Sequence, residues 1–307
     1  LTMPHWALGR LLDLAVDLAG MTRSLEFPVA RKTVVLMAGD HGIVAEGVTP
    51  QPSSVTVQMV HNFVAGGAGI NAVARSTGTR VVVADLGVAA DLSDLVSAGK
   101  IFDCKVAPGT CNFAKGPAMT RLQAVASLEA GIGLARRLAP ETDVFGSGEM
   151  GIGNTTTSSA VASVLLQKDP ELVTGAGAGL DSAGLKRKTE AIRRGIGLHH
   201  PDPMDGMEVL QKVGGFDLAA MAGAFLGGAI YHVPVVIDGV IAAAAAAAAG
   251  RIAPAATDYM LAAHVSAEPA SIGLLDLIGV TPAIQAGLRL GEGTGALALF
   301  PLLDMAL

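Results

Sequence analysis

The hydrophobic pattern of this chain switches between two periods. Five short apolar runs have the length and composition of buried strands: "TVVLMAGDHG" at 33–42, "VVVADLG" at 81–87, "DVFGSGE" at 143–149, "VPVVIDG" at 233–239 and "MLAAHVSAE" at 260–268. Helical spacing fills the stretches between them, at roughly 54–75, 120–138, 155–166 and 240–250. Residues 5–20, "HWALGRLLDLAVDLAG", read as an amphipathic helix, and the chain from about 271 onward also reads as helices. Strands alternating with helices predict βαβ units and a Rossmann-like, doubly wound parallel sheet. The predicted division is an α/β domain over 25–270 and a small helical subdomain made of 1–24 plus 271–307.

Composition changes that picture in three ways. Hydrophobic residues make up 51% of the 307 residues and charged ones 16%, which allows a large core. Aromatics are only 4% against 39 glycines, so small residues must do much of the packing. The net charge of −6 comes without a basic run, which excludes a nucleic-acid footprint. Residues 218–237 carry no formal charge over a membrane-spanning length, yet they are rich in Ala and Gly and hold His232 and Pro234. They read as a small-residue helix followed by a buried strand. With two cysteines, Cys104 and Cys111, and no signal-peptide pattern, the expectation is a reduced, cytoplasmic protein.

Every predicted strand ends on polar groups: Asp40-His41, Asp85, Glu149, Asp238, then Ser266 and Glu268. Open α/β sheets bind ligands outside the carboxyl ends of their strands, so these residues predict a polar crevice. In "GSGEMGIGNTTT" at 146–157, Gly146, Gly148 and Gly151 match a dinucleotide-binding spacing. Against a dinucleotide stand Glu149 within the motif, which would repel a pyrophosphate, Gly153 and Asn154, which lengthen the turn, and the acids further on, Asp169 and Glu171, which follow a helix and do not end a strand. The helix start at 155 still offers backbone N–H groups to a phosphate. Asn154 or Thr155 capping that helix is the plainer alternative.

"LDSAGLKRKTEAIRRG" at 180–195 holds Lys186, Arg187, Lys188, Arg193 and Arg194. Most suit a solvated helix face; one lysine can reach a phosphate as a point charge, and the residues alone do not choose which. "LHHPDPMDG" at 198–206 has metal-ligand composition but no usual spacing, so a polar loop is expected and no metal. Two glutamates stand in glycine turns, Glu149 and Glu292, the latter in "LRLGEGTGAL" at 288–297. Apolar neighbours would desolvate either one, raise its pKa and suit it to general-base work. Each can equally be a helix cap.

The motifs "MAGDHGIVAEGVTPQP", "VHNFVAGGAGINAVAR", "GSGEMGIGNTTTSSA", "KVGGFDLAAMAGA", "PVVIDG", "SAEP" and "LRLGEGTGALAL" occur in this order. Together they closely resemble the nicotinate-nucleotide–dimethylbenzimidazole phosphoribosyltransferases, over about Val34 to Leu303, with a shorter N-terminus than that family has. The resemblance implies transfer of phosphoribose from nicotinate mononucleotide to 5,6-dimethylbenzimidazole, giving α-ribazole 5′-phosphate and nicotinate. It implies a homodimer, no cofactor and no metal. Glu292 would be the base, with Glu149 nearby. Gly151, Asn154, Thr155, Lys188, Asp238 and Ser266 would bind the nucleotide, and Gln58 and Leu290 would line the benzimidazole pocket. The alternatives are an NAD-dependent oxidoreductase, resting on the glycine spacing, and a non-catalytic nucleotide-binding module.

Overall fold

The computed structural model describes residues 3–177 and 179–307. Six strands form one parallel sheet: β1 (Lys32–Gly39), β2 (Arg80–Gly87), β3 (Phe102–Asp103), β4 (Val144–Met150), β5 (Val235–Ile237) and β6 (Met260–Ala262). Their order across the sheet is β3-β2-β1-β4-β5-β6, with the reversal of direction between β1 and β4. That is the doubly wound order that opens a crevice at the carboxyl ends of the strands. The five apolar runs are all strands. The sixth, β3, was not predicted: only two pairs join it to β2, Ala84 with Phe102 and Asp85 with Asp103.

Thirteen α-helices are described. They are α1 (Arg10–Thr22), α2 (Ser54–Ala65), α3 (Gly69–Thr77), α4 (Ser93–Ser97), α5 (Arg121–Leu138), α6 (Asn154–Leu166), α7 (Pro170–Val173), α8 (Ser182–His199), α9 (Gly206–Val213), α10 (Phe216–Tyr231), α11 (Val240–Ile252), α12 (Ser271–Leu277) and α13 (Thr294–Ala306). The helix expected over 54–75 is two, because Gly66 takes a left-handed φ of 79° and ends α2.

Strand β1 shows how the two layers are built. Val35 and Met37 belong to one apolar cluster, with residues of α5, α6, α9, α10 and α11. Val34, Leu36 and Ala38 belong to the other, with residues of α1, α2, α3 and α13. Successive side chains on a strand point to opposite faces, so one run of apolar residues serves both layers. The two helices nearest the chain ends share this second layer: Leu14 and Leu18 of α1 join Phe300 and Leu303 of α13, all fully buried.

The alanine run at 242–249 is buried throughout in α11, where it packs against α6, α9 and α10. Alanine lets those helices approach closely without side-chain entropy loss. The uncharged stretch at 218–237 is α10 followed by β5, and among the described residues no helix is long and apolar enough to cross a membrane.

Candidate active site

The strand ends divide into two groups. Asp85 serves its own turn, accepting from the N–H of Gly87 at 3.0 Å and of Val88 at 2.8 Å and pairing with Lys105 at 3.1 Å. Asp40 accepts from Ala89 N–H at 2.8 Å. Neither lines the cleft that the other strand ends build, which corrects the expectation of one crevice spanning all the strand ends. The ends of β4, β5 and β6 do converge: Glu149, Asp238, Ser266 and Glu268 line one cleft, together with Gly151, Asn154, Thr155, His264, Arg289, Leu290 and Glu292. Two roomier surface hollows lie elsewhere and hold none of these residues. Gln58 is exposed on α2 and does not line the cleft.

Glu292 enters this cleft on a strained turn. Gly291, Glu292 and Gly293 have φ of 80°, 62° and 89°, three left-handed residues in succession. Glycine adopts that conformation freely; a glutamate there costs about 1–2 kcal/mol. The cost is offset by anchors on every side. Glu292 N–H donates to Glu149 Oε1 at 3.3 Å. Asp238 accepts the N–H of Gly293 at 3.1 Å, of Gly295 at 2.5 Å and of Ala296 at 3.3 Å, capping α13 with a carboxylate. The Glu292 side chain accepts from Ile70 N–H at 3.3 Å, at the start of α3. Both readings of Glu292 therefore hold at once: it caps a helix, though that helix is α3, and it faces the cleft.

The glycines of "GSGEMG" explain themselves here. Gly146 and Gly148 lie within β4, and a Cβ on Gly148 would stand 2.8 Å from the Glu292 carbonyl oxygen. One on Gly146 would meet Val34 at 2.8 Å and Ala296 at 3.0 Å. The spacing admits α13 and its turn against the strand, so it gives no support to a dinucleotide site. Gly151 is buried against β1, with Gly39 O at 2.2 Å from where its Cβ would be.

Burial sets the charges. Glu149 is pushed up to about 8 by loss of water, then by the Asp238 and Asp217 carboxylates. Glu292, more open, is also raised, chiefly by desolvation. Asp238 is raised by burial, with His264 and the helix N–H groups pulling the other way. Asn154, at the first turn of α6, donates through Nδ2 to Glu149 Oε2.

Behind Thr155 and Gly177, which line the cleft, lies a buried cation. Of the cluster at 186–194, Lys186, Arg187, Arg193 and Arg194 sit at the surface, and Arg193 and Arg194 pair with carboxylates there. Lys188 alone is buried, 0% exposed. Its ammonium donates to Thr155 Oγ1 at 3.1 Å and to Gly175 O at 3.0 Å. Desolvation lowers its pKa to about 8, with Glu268 opposing. An ammonium has three donor hydrogens, and among the described residues two are taken.

Two further polar residues, His264 and Asp217, had no site role in the sequence reading, and His41, expected there as a strand-end group of the crevice, stands outside the cleft lining. His264 lines the cleft, 4% exposed, with Nδ1 unpartnered. His41 and Asp217 lie behind it as a buried pair at 3.2 Å. Only the sheet brings these distant positions together, and "MAGDHG" and "GGFDLA" gave no local sign of it. The "HHPDPMD" segment is structural: His199 Nε2 lies 2.9 Å from Phe113 O, and Asp205 caps α9 through Glu208 N–H at 2.9 Å.

A cleft at the strand ends, with a buried lysine beside a helix start and carboxylates across from it, suits an anionic nucleotide and a proton-losing partner. The comparisons fall in line. A family model described as phosphoribosyltransferase matches residues 1–307. The nicotinate-nucleotide–dimethylbenzimidazole phosphoribosyltransferase of Syntrophotalea carbinolica is 53% identical over all of this chain and 87% of its own length. That of Desulfotalea psychrophila is 48% identical, over 100% and 86%. The crystal structure of the same-named enzyme from Thermus thermophilus superposes with a TM-score of 0.93 at 42% identity, covering 100% of this chain and 90% of that one. The chain belongs to this family of nicotinate-nucleotide–dimethylbenzimidazole phosphoribosyltransferases.

Proposed function

We propose that the protein transfers phosphoribose from nicotinate mononucleotide to 5,6-dimethylbenzimidazole, releasing nicotinate and α-ribazole 5′-phosphate. The observation that carries this is Glu292: a desolvated carboxylate, fixed on a strained turn in a cleft whose Thr155 is backed by a buried lysine. Lys188, Thr155 and the first N–H groups of α6 take the phosphate, with Gly151, Asn154, Asp238 and Ser266 around the nucleotide. Leu290 covers the benzimidazole, and Gln58 borders that pocket once the base is bound. The lone pair of one imidazole nitrogen forms the new bond to C1′ from the face away from nicotinate. The C1′–N bond to nicotinate breaks, and its electron pair neutralises the pyridinium. The proton on the other imidazole nitrogen passes to Glu292. Since the leaving group already carries positive charge, the step asks for no metal and no cofactor. Glu149, whose pKa burial pushes up to about 8, is protonated at neutral pH and donates a hydrogen bond into the cleft rather than accepting the proton. The segments 1–24 and 271–307 act as a helical unit that delivers the Glu292 turn, and the protein works as a cytoplasmic homodimer.

Product analysis after incubation with nicotinate mononucleotide and a panel of benzimidazoles tests the reading. A ribosylated base and free nicotinate in equal amounts support it. Nucleotide binding without product overturns it in favour of a non-catalytic module.

A further inference from the structure

We propose that His41 and Asp217, which do not line the cleft, are positioning residues that act through the Asn154 amide to aim the Glu149 carboxyl into it. The inference rests on the phosphoribosyl-transfer reading above. Asp217 stands in the first turn of α10 and His41 just beyond β1, with side chains 0% and 1% exposed. His41 Nε2 is 3.2 Å from Asp217 Oδ2, and Thr157 Oγ1 is 3.1 Å from Nδ1, so both ring nitrogens are tied. Leu218 N–H donates to Asp217 Oδ1 at 2.8 Å. Burying such a pair is expensive, and apolar side chains of the same volume often do as well for stability.

What the pair does for the site follows from one amide. Asn154 Nδ2 faces Asp217 Oδ2 at 3.5 Å and donates to Glu149 Oε2. A side-chain amide has a donating side and an accepting side. A carboxylate on the Asp217 side accepts only, so the NH2 group is the side that can serve both acids. Glu149 then meets a donor at each oxygen: Asn154 at Oε2 and Glu292 N–H at Oε1. Neither contact takes the hydrogen of the neutral acid, and the open direction for it is the cleft that Glu149 lines.

Asp217→Asn breaks the arrangement with almost no change of shape. The new amide keeps its oxygen on Leu218 N–H, so its NH2 faces Asn154. Two NH2 groups repel, Asn154 turns over, and its carbonyl now draws the Glu149 hydrogen away from the cleft. We expect kcat to fall by about 10²–10³-fold, the scale of one lost donor in an active site, with KM for nicotinate mononucleotide changing by less than about twofold. Glu149→Gln combined with Asp217→Asn should lose no more than the worse single variant, since both remove the same contact. His41→Gln, which still offers a donor to Asp217, should keep most of the rate. The infrared carbonyl band of the neutral Glu149 acid, identified by its disappearance in Glu149→Gln, should shift in Asp217→Asn. Asn154→Asp replaces the NH2 with an oxygen; it should give the same loss and the same shift, and it serves as the test should Asp217→Asn not fold. An unchanged kcat, losses that multiply in the double variant, or an unmoved band overturns the proposal. If the wild-type protein forms no ribosylated base, the parent reading fails instead, and the infrared arm still decides the amide orientation.

Discussion

Two sides of the cleft carry opposite buried charges, Glu149 in its lining and Lys188 behind Thr155, and burial drives both toward the same pKa. Glu149 climbs to about 8 and Lys188 descends to about 8. At neutral pH the first is therefore uncharged and the second still charged. Their surroundings differ to match. Glu149 sits among Asn154, Asp217, Asp238 and Glu292, where each group is fixed by another. Among the described residues Lys188 donates to two neutral acceptors. The carboxylate side is built to hold a geometry; the cationic side is built to supply a charge. A phosphate beside Lys188 restores its pKa toward the ordinary value, so binding near pH 8 should take up protons.

The sharpest way to break this comparison is to remove the one carboxylate that must accept a proton. Glu292→Gln should lower kcat by about 10²–10⁴-fold while leaving nicotinate mononucleotide binding nearly intact, as a positioned general base would. Wild-type turnover by that variant in steady-state assays would reduce Glu292 to a cap on α3. Next in size is the cationic side. Lys188→Ala should weaken nicotinate mononucleotide binding by roughly 1.5–3 kcal/mol, about 10–150-fold, in calorimetric titration. Nicotinate riboside, which lacks the phosphate, should bind as before; equal losses would show that Lys188 acts through the fold.

A smaller effect separates the two sides by pH. An unfolded glutamate titrates at its ordinary 4.5, while Glu149 in the folded chain holds its proton to about 8. Between those values the unfolded chain releases a proton that the folded one keeps, so stability falls as pH rises through that window and is level above it. Glu149→Gln should flatten that part of the melting-temperature profile. Lys188 acts over a different window: its pKa falls from 10.5 to about 8, so stability recovers as pH climbs between them. Activity should then decline at acid pH as Glu292 gains a proton, and above about 8 as Glu149 loses one and Lys188 its charge. Last, excess chelator should leave the rate unchanged, since the departing pyridinium needs no Lewis acid; loss of activity restored by one divalent ion would end that account.

Much of this was legible before the fold was known. Apolar runs between glycines announce parallel strands, and all five such runs are strands. Strand β3 was not legible, because "FDCKV" has no apolar run and pairs at only two positions. "AGGAG" does carry the break between α2 and α3, in the left-handed Gly66. In the site, Glu149, Asp238 and Ser266 announce themselves by ending strands. Lys188 could not be told from its cationic neighbours, because burial and not sequence separates them. His41, Asp217 and His264 are polar residues in apolar segments, and their partners stand far away in the chain: 176 residues separate His41 from Asp217.

The Glu292 turn has a consequence for the order in which a ribosome would make this protein. Glu292 is synthesised after all of its anchors, Ile70, Glu149 and Asp238. The helix that follows it also supplies Ala296, Leu297, Leu299, Phe300 and Leu303 to the core beside β1. Until those residues leave the exit tunnel, the part of that face which α1, α2 and α3 leave uncovered lies bare, the kind of surface that chaperones recognise. The same late helix closes that face and installs the base. A nascent or truncated chain that lacks it cannot be a half-active enzyme; it is a sticky sheet with no chemistry.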